Sequence, residues 1–353
     1  MPATKERYFY LDNLRAVLML LGILLHAAAV YSPEQYWLIY SDSPFAFADT
    51  INETITLFRM PAFFMLSGFF AAWSLANSSV VSFIRTRVIR IGLPLLSTLI
   101  VVNSLQTFVL TTSGWLEFEL STYMNEGLWK GHLWFLIDLI FYFLLTAIFF
   151  SLPIKCNISL PNNCTLLSSF LVLSALPLIT LVIMATNKLG FPIYYNIFGF
   201  FSLYELLYYG QFYVLGFVFF RYGKEQNLKL LPIVACLVIA IWGHQYYSEI
   251  AAISVYFYQL LVWCAVFSCF TLFNSHLNRP LTIFTPWVEA SYTIYLFHHI
   301  IIICFGLLLR KTSINGSLGF ISLAIVTTLL SFSIHHCLIS QHPVLKLLFN
   351  GKR

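Results

Sequence analysis

The sequence predicts an all-α fold, a polytopic transmembrane helix bundle of about ten spans with both termini cytoplasmic. Three observations predict it. Hydrophobic residues make up 59% of the chain and charged residues only 9%, so a soluble fold would have far more apolar surface than it could hide. The apolar residues are gathered into separate runs long enough to cross a bilayer, which takes about 20 residues each. Lysine and arginine collect on one side of the connections between those runs.

The runs fall near 14–33, 54–78, 91–113, 133–153, 166–187, 198–220, 230–247, 251–273, 288–309 and 317–339. Ten spans with short loops use the whole length, so residues 1–353 read as a single membrane domain. Pro161, Asn162 and Asn163, then Gly190 and Pro192, then Pro280 and Pro286 mark connections. Polar Met1 to Asn13 leads straight into the first span, so the amino terminus reads as a retained anchor and not a cleaved signal. The 35 Phe, 20 Tyr and 8 Trp suit a lipid-embedded protein with aromatic belts.

An even number of spans puts both termini on one side. Of the 19 Lys and Arg residues, 13 fall on that side, among them Lys5, Arg7, Arg85, Arg87, Arg90, Lys155, Lys224, Lys229, Lys352 and Arg353. The other side receives four, Lys130, Lys188, Arg310 and Lys311, while Arg15 and Arg59 lie at or within spans. The net charge of +5 is therefore explained by topology and calls for no nucleic-acid partner. Of seven cysteines, Cys236, Cys264, Cys269, Cys304 and Cys337 lie in apolar runs and read as small buried hydrophobes. Cys156 and Cys164 sit in a stretch expected to face the reducing cytoplasm with no histidine beside them, so neither a disulfide nor a metal site is expected.

An ionisable side chain in a span costs about 2.5 to 3.5 kcal/mol on insertion scales, so each one asks for a reason. Arg15 and His26 are 11 positions apart, which brings them within about 20° of one helix face and about 16 Å apart along the axis. Asp12 precedes Arg15 at the i,i+3 spacing of an ion pair, although a carboxylate at a helix amino terminus is also favoured by the dipole alone. Arg59 lies early in the second span, where it reads either as a functional cation or as an interfacial residue that snorkels. Arg85, Arg87 and Arg90 close the next loop and suit the phosphates of a donor, although topology alone also places arginines there. His132 and Trp134 open the fourth span, and His298 and His299 lie midway through the ninth; each is read as facing an acceptor, with an interfacial or structural role as the alternative. No zinc pattern, P-loop, dinucleotide fingerprint or nucleophile elbow is present.

Six segments carry a family resemblance: Tyr10-Leu11-Asp12-Asn13-Leu14-Arg15 with ten residues to His26; Phe58-Arg59-Met60 through Phe63-Phe64 to Ser67-Gly68-Phe69; Arg87-Val88-Ile89-Arg90-Ile91-Gly92-Leu93-Pro94; His132-Leu133-Trp134-Phe135-Leu136; Ala290-Ser291-Tyr292 through His298-His299; and Pro343-Val344-Leu345-Lys346. In this order the chain resembles the acyltransferase-3 family of integral membrane acyltransferases over nearly its whole length. The resemblance implies transfer of an acyl group, succinyl or acetyl, from a cytoplasmic acyl-coenzyme A to a hydroxyl of a periplasmic or cell-surface glycan, such as osmoregulated periplasmic glucan or lipopolysaccharide O-antigen. It implies a bacterial inner-membrane location, no permanently bound cofactor, and other glycan-synthesis proteins as partners. The family's Arg-ten-residues-His motif falls on Arg15 and His26, and its Arg-x-x-Arg motif on Arg87 and Arg90. The expected roles are a neutral His26 as base or acyl-accepting nucleophile, with activity falling as it is protonated, Arg15 and Asp12 beside it, arginines on the donor, and Arg59, His132, Trp134, His298 and His299 toward the acceptor. A glycan or acyl-donor transporter is the competing class, disfavoured because no inverted repeat is apparent.

Overall fold

A computed structural model of the protein describes residues 8–152, 165–197, 199–222, 230–312 and 314–352. Lys5, Arg7, Lys155, Cys156, Pro161, Asn162, Asn163, Cys164, Lys224, Lys229 and Arg353 lie outside the described residues. The helices are α1 (Phe9–Val30), α2 (Ala48–Ala76), α3 (Val80–Thr112), α4 (Leu120–Asn125), α5 (Trp134–Ser151), α6 (Leu166–Lys188), α7 (Leu203–Tyr222), α8 (Leu230–Tyr246), α9 (Ala251–His276), α10 (Thr285–Arg310), α11 (Gly316–Ile339) and α12 (Pro343–Asn350). Among the described residues nine helical stretches are long and apolar enough to cross a membrane, and α8, also apolar, is shorter at 17 residues. The molecule is therefore a polytopic helical bundle.

The early helices begin well before the apolar runs do. α1 starts at Phe9, α2 at Ala48 and α3 at Val80, because a helix continues through its polar flanks as long as its backbone groups have no better partners. The stretch expected to span from residue 198 is different. Asn196–Ile197 and Phe201–Ser202 pair as a small antiparallel hairpin turning through Gly199 at φ 73°, and the helix begins only at Leu203.

α3 holds two π-helical segments, Val88–Gly92 and Leu99–Asn103. The first lies just ahead of Pro94, whose ring would crowd the carbonyl one turn earlier and whose nitrogen donates no hydrogen bond. The second shifts the helix phase and brings polar Asn103 and Gln106 into the interior, 2% and 5% exposed. Lipid-facing positions such as Ile100, Phe108, Leu171, Val238 and Leu329 are exposed and apolar, as a bilayer requires.

Helix contacts inside the bundle depend on small residues. Gly68 of α2 lies against the backbone of Tyr213 in α7, and Gly216 of α7 lies against Met65 in α2, so these two backbones meet with no side chain between them. α1 packs on α2, α9, α10 and α11.

Candidate active site

Four histidines from three elements meet beside α1. His26 comes from α1, His132 from the entry to α5, and His298 and His299 from α10. The His26 ring lies 5.4 Å from His298 and 4.9 Å from His299, and His132 lies 5.3 Å from His298 and 4.5 Å from His299 between ring centres. His132 reaches the group through a break in its turn at Gly131, whose φ of 47° and ψ of −130° suit glycine alone. That turn is tied to α3, where Asn103 donates from Nδ2 to the carbonyls of Trp129 (2.9 Å) and Lys130 (3.1 Å).

The outer side of the group is fixed by hydrogen bonds. With the Gln106 Oε1 acceptor 2.7 Å from His299 Nδ1, that nitrogen carries the hydrogen. His298 Nδ1 likewise donates to the carbonyl of Tyr295 at 2.7 Å, and the Tyr295 hydroxyl donates to the carbonyl of His132 at 2.7 Å. The inner side is unsatisfied. His26 Nδ1, His298 Nε2 and both ring nitrogens of His132 are buried with no hydrogen-bond partner among the described residues. A fold seldom leaves such atoms bare, and four in one place mark a site kept ready for something that binds or reacts. Among the described residues no three His, Cys, Asp or Glu side chains are arranged to hold a metal ion.

Trp37, from the loop between α1 and α2, stacks on His26 at 5.5 Å and meets His299 edge-on at 5.0 Å, covering the group on the side away from the termini. That loop is fastened by a paired hydrogen bond from Arg310 to Asp42, 2.9 and 3.0 Å, with the guanidinium 4.7 Å from the Trp115 ring. The Arg310 guanidinium holds the exposed Asp42 carboxyl below the usual carboxylate range. The clamp adds to stability above that range and is lost as pH falls through the lowered pKa.

Toward the termini a cavity of about 540 Å³ opens between α1, α2, α3, α5 and α10. Arg15, Arg87, Arg90 and Lys352 line it, with Asp12 and Glu289 as its only carboxylates among the described residues. Asp12 pairs with Arg15 at 3.5 Å, as the i,i+3 spacing predicts. Arg87 is held by the carbonyl of Phe70 at 3.1 Å and lies 4.9 Å from the Phe143 ring. The last helix, α12, ends at Gly351 with φ 60° against the backbone of Arg90, which delivers Lys352 to the cavity. Partial burial there, with Arg15 and Arg90 close by, pulls the Lys352 ammonium below its usual range. Cations crowded in this way favour an anion between them.

Several expected placements differ. Arg85 is exposed and stands outside the cavity, because the two-residue step to Arg87 turns it through about 200° of helix. Trp134 packs on Tyr209 at 5.2 Å and on Phe64, and makes no ring contact with the histidines. Arg59 does not snorkel. It is 5% exposed, donates from Nε to the carbonyl of Leu18 at 2.9 Å and lies against Gly22. Arg15 and His26 are on the same helix but in different places, the first at the cavity and the second in the histidine group. Gln106, Tyr295, Trp37, Gly22 and Lys352 are the residues that the sequence did not single out for the site. Of these only Gln106, a polar residue inside an apolar run, carried a signal that could have found it.

The helices long enough to cross a membrane thus enclose a histidine group and, toward the termini, a cavity lined by cations. The family described as Acyltransferase domain matches residues 8–336, and the chain belongs to this acyltransferase-3 family: it is a multi-pass membrane acyltransferase. Among its relatives are proteins named Glucans biosynthesis protein C. That of Shigella dysenteriae serotype 1 is 28% identical over 376 residues, covering 99% of this chain and 96% of that protein. That of Salmonella paratyphi B is 28% identical over 377 residues, with the same coverage of each. No solved structure matches the chain.

Proposed function

We propose that the protein transfers an acyl group, succinyl or acetyl, from a cytoplasmic acyl-coenzyme A to a hydroxyl of a periplasmic glucan, and that it resides in the bacterial inner membrane. The observation that carries this reading is the cavity lined by Arg15, Arg87, Arg90 and Lys352, whose lining reaches Met19, two turns before His26 on α1, and Phe135, one turn after His132. The one-sided distribution of lysine and arginine supports a cytoplasmic terminal face. The relatives' names support a glucan acceptor.

In this reading phosphates of the donor rest among the cations at the cavity mouth, through charge-assisted hydrogen bonds, and the acyl thioester reaches inward. The acceptor hydroxyl approaches from the Trp37 side. His26 takes the hydroxyl proton as the oxygen attacks the thioester carbonyl, the new C–O bond forms, the C–S bond breaks, and the thiolate takes that proton away as a thiol. His132, His298 and His299 hold the acceptor and exclude water. Because His26 must be neutral to act, the rate falls with acidification, and a profile flat from pH 5 to pH 8 counts against the mechanism.

Arg87→Ala and Arg90→Ala each raise the donor KM by about 10-fold to 100-fold, the loss of a hydrogen bond to a charged group worth about 1.5 to 3 kcal/mol. Arg85→Ala leaves the KM within about twofold, as expected of a charge that stands outside the cavity. Steady-state assays in detergent with varied acyl-coenzyme A check both. Mass spectrometry of periplasmic glucan and of lipopolysaccharide, from cells lacking the protein and from restored cells, tests the function itself. A succinyl or acetyl increment on glucan, present only in restored cells, supports the proposal. An increment on lipopolysaccharide moves the acceptor to O-antigen, and no covalent change in either favours a transporter.

A further inference from the structure

Arg59 is a buried guanidinium in the middle of a membrane-spanning bundle, with no carboxylate in a salt bridge to it among the described residues. Such a cation is expensive to bury and is retained where it acts on something that arrives. Its contacts fix where that is. Nε is held by the carbonyl of Leu18, and the guanidinium lies against α1 at Gly22, where a single added carbon would strike it. Gly22 is one turn before His26 on the same face of α1, about 6 Å along the axis. In the other direction the guanidinium is 5.8 Å from the ring of Phe63, and Phe63 and Met19 line the deep end of the cavity. Arg59 therefore stands between the end of the cavity and the histidine group.

We infer that Arg59, seated on Gly22, is a catalytic residue that receives the oxyanion formed when the acceptor hydroxyl attacks the acyl thioester. This rests on the acyl-transfer reading above. As the hydroxyl oxygen bonds to the carbonyl carbon and its proton passes to His26, the carbonyl electron pair moves onto the carbonyl oxygen, which hydrogen-bonds to the guanidinium. When that pair returns, the C–S bond breaks and the thiolate leaves with the proton from His26. A fixed cation in a site shielded from water stabilises this charge far more than it stabilises the neutral thioester. Arg15, on the same helix, is held by Asp12 at the cavity mouth and serves the donor end instead.

The test uses the full-length protein in detergent, with acetyl- and succinyl-coenzyme A as donors and the unreactive thioether analogue of whichever the wild type uses. Arg59→Gln is expected to lower kcat by about 100-fold to 1000-fold while changing the analogue's Kd by less than about threefold. Arg59→Lys keeps the charge but not the planar fork and loses at least about 10-fold in kcat, so it carries the test if the Gln variant fails to fold. Gly22→Ala displaces the guanidinium and loses about 10-fold or more, yet costs less than about twofold when Arg59 is already Gln. A kcat within about threefold of wild type in the Arg59 variants overturns the inference, and so does a Gly22→Ala loss that is as large without Arg59 as with it. Weaker analogue binding with an intact kcat makes Arg59 a donor anchor and overturns it as well. A wild type that transfers no acyl group from either donor overturns the acyl-transfer reading itself, a result distinct from transfer that survives the Arg59 substitutions.

Discussion

His26→Ala is expected to abolish measurable acyl transfer, with a loss of about 1000-fold or more, while the protein still folds and binds its donor. General-base catalysis contributes about 100-fold to 10,000-fold, and the alanine variant also opens space beside His298 and His299 that water can enter. Folding survives because His26 is not part of the packed core: its Nδ1 has no hydrogen-bond partner among the described residues, and its neighbours are other rings of the site. His298 and His299 commit Nδ1 to Tyr295 and Gln106, which fixes their rings and leaves the bare nitrogens of His298 and His132 as the bases that His26 must be distinguished from. Thioester consumption by purified His26→Ala, with donor-analogue binding measured on the same sample, checks this. Undiminished transfer would remove His26 from the chemistry and leave the bare nitrogens of His132 or His298 to carry it.

Gly68→Leu is expected to prevent the protein from folding. Any carbon added at Gly68 meets the carbonyl of Tyr213, and one added at Gly216 meets that of Met65, so a side chain at either position has only backbone to displace. Overpacking where side chains can yield costs about 1 to 3 kcal/mol, and two helix backbones that must separate take the cost to the top of that range or beyond. The damage spreads, because Phe64 and Phe69 of α2 pack on Tyr209 and Phe220 of α7 beside the glycines. Yield and monodispersity of Gly68→Leu in detergent, compared with Gly114→Ala in an open turn, check this. Gly114 has a φ of 76° and no atom close by, so alanine there causes only local backbone strain and leaves the bundle intact.

The class of fold was legible because the bilayer imposes it. A chain with 59% hydrophobic and 9% charged residues, broken into runs of helical length, has no other way to satisfy its backbone. The Asp12 and Arg15 pair was legible for a similar reason, since i,i+3 neighbours are set by helix geometry alone. Arg87 and Arg90 on the cavity follow in part from the same regularity, and their separation from Arg85 is the helical step that a linear reading of three nearby arginines leaves out.

What sequence could not supply is which helices touch. His26, His132, His298 and His299 were each visible as polar residues in apolar surroundings, but spacing along a chain does not reveal that α1, the entry to α5 and α10 bring each of them to about 6 Å or less from at least two of the others. Trp37 gave no signal because a loop tryptophan in a membrane protein is ordinary, and only the return of that loop over α1 places it on His26. Arg59 is the clearest division between the two. Sequence by itself determined that a cation would lie in the second span. Only the packing of α2 on α1 across Gly22 decided that it turns inward to the end of the cavity and not outward to the lipid headgroups, because burial of a charge is settled by the neighbours that surround it.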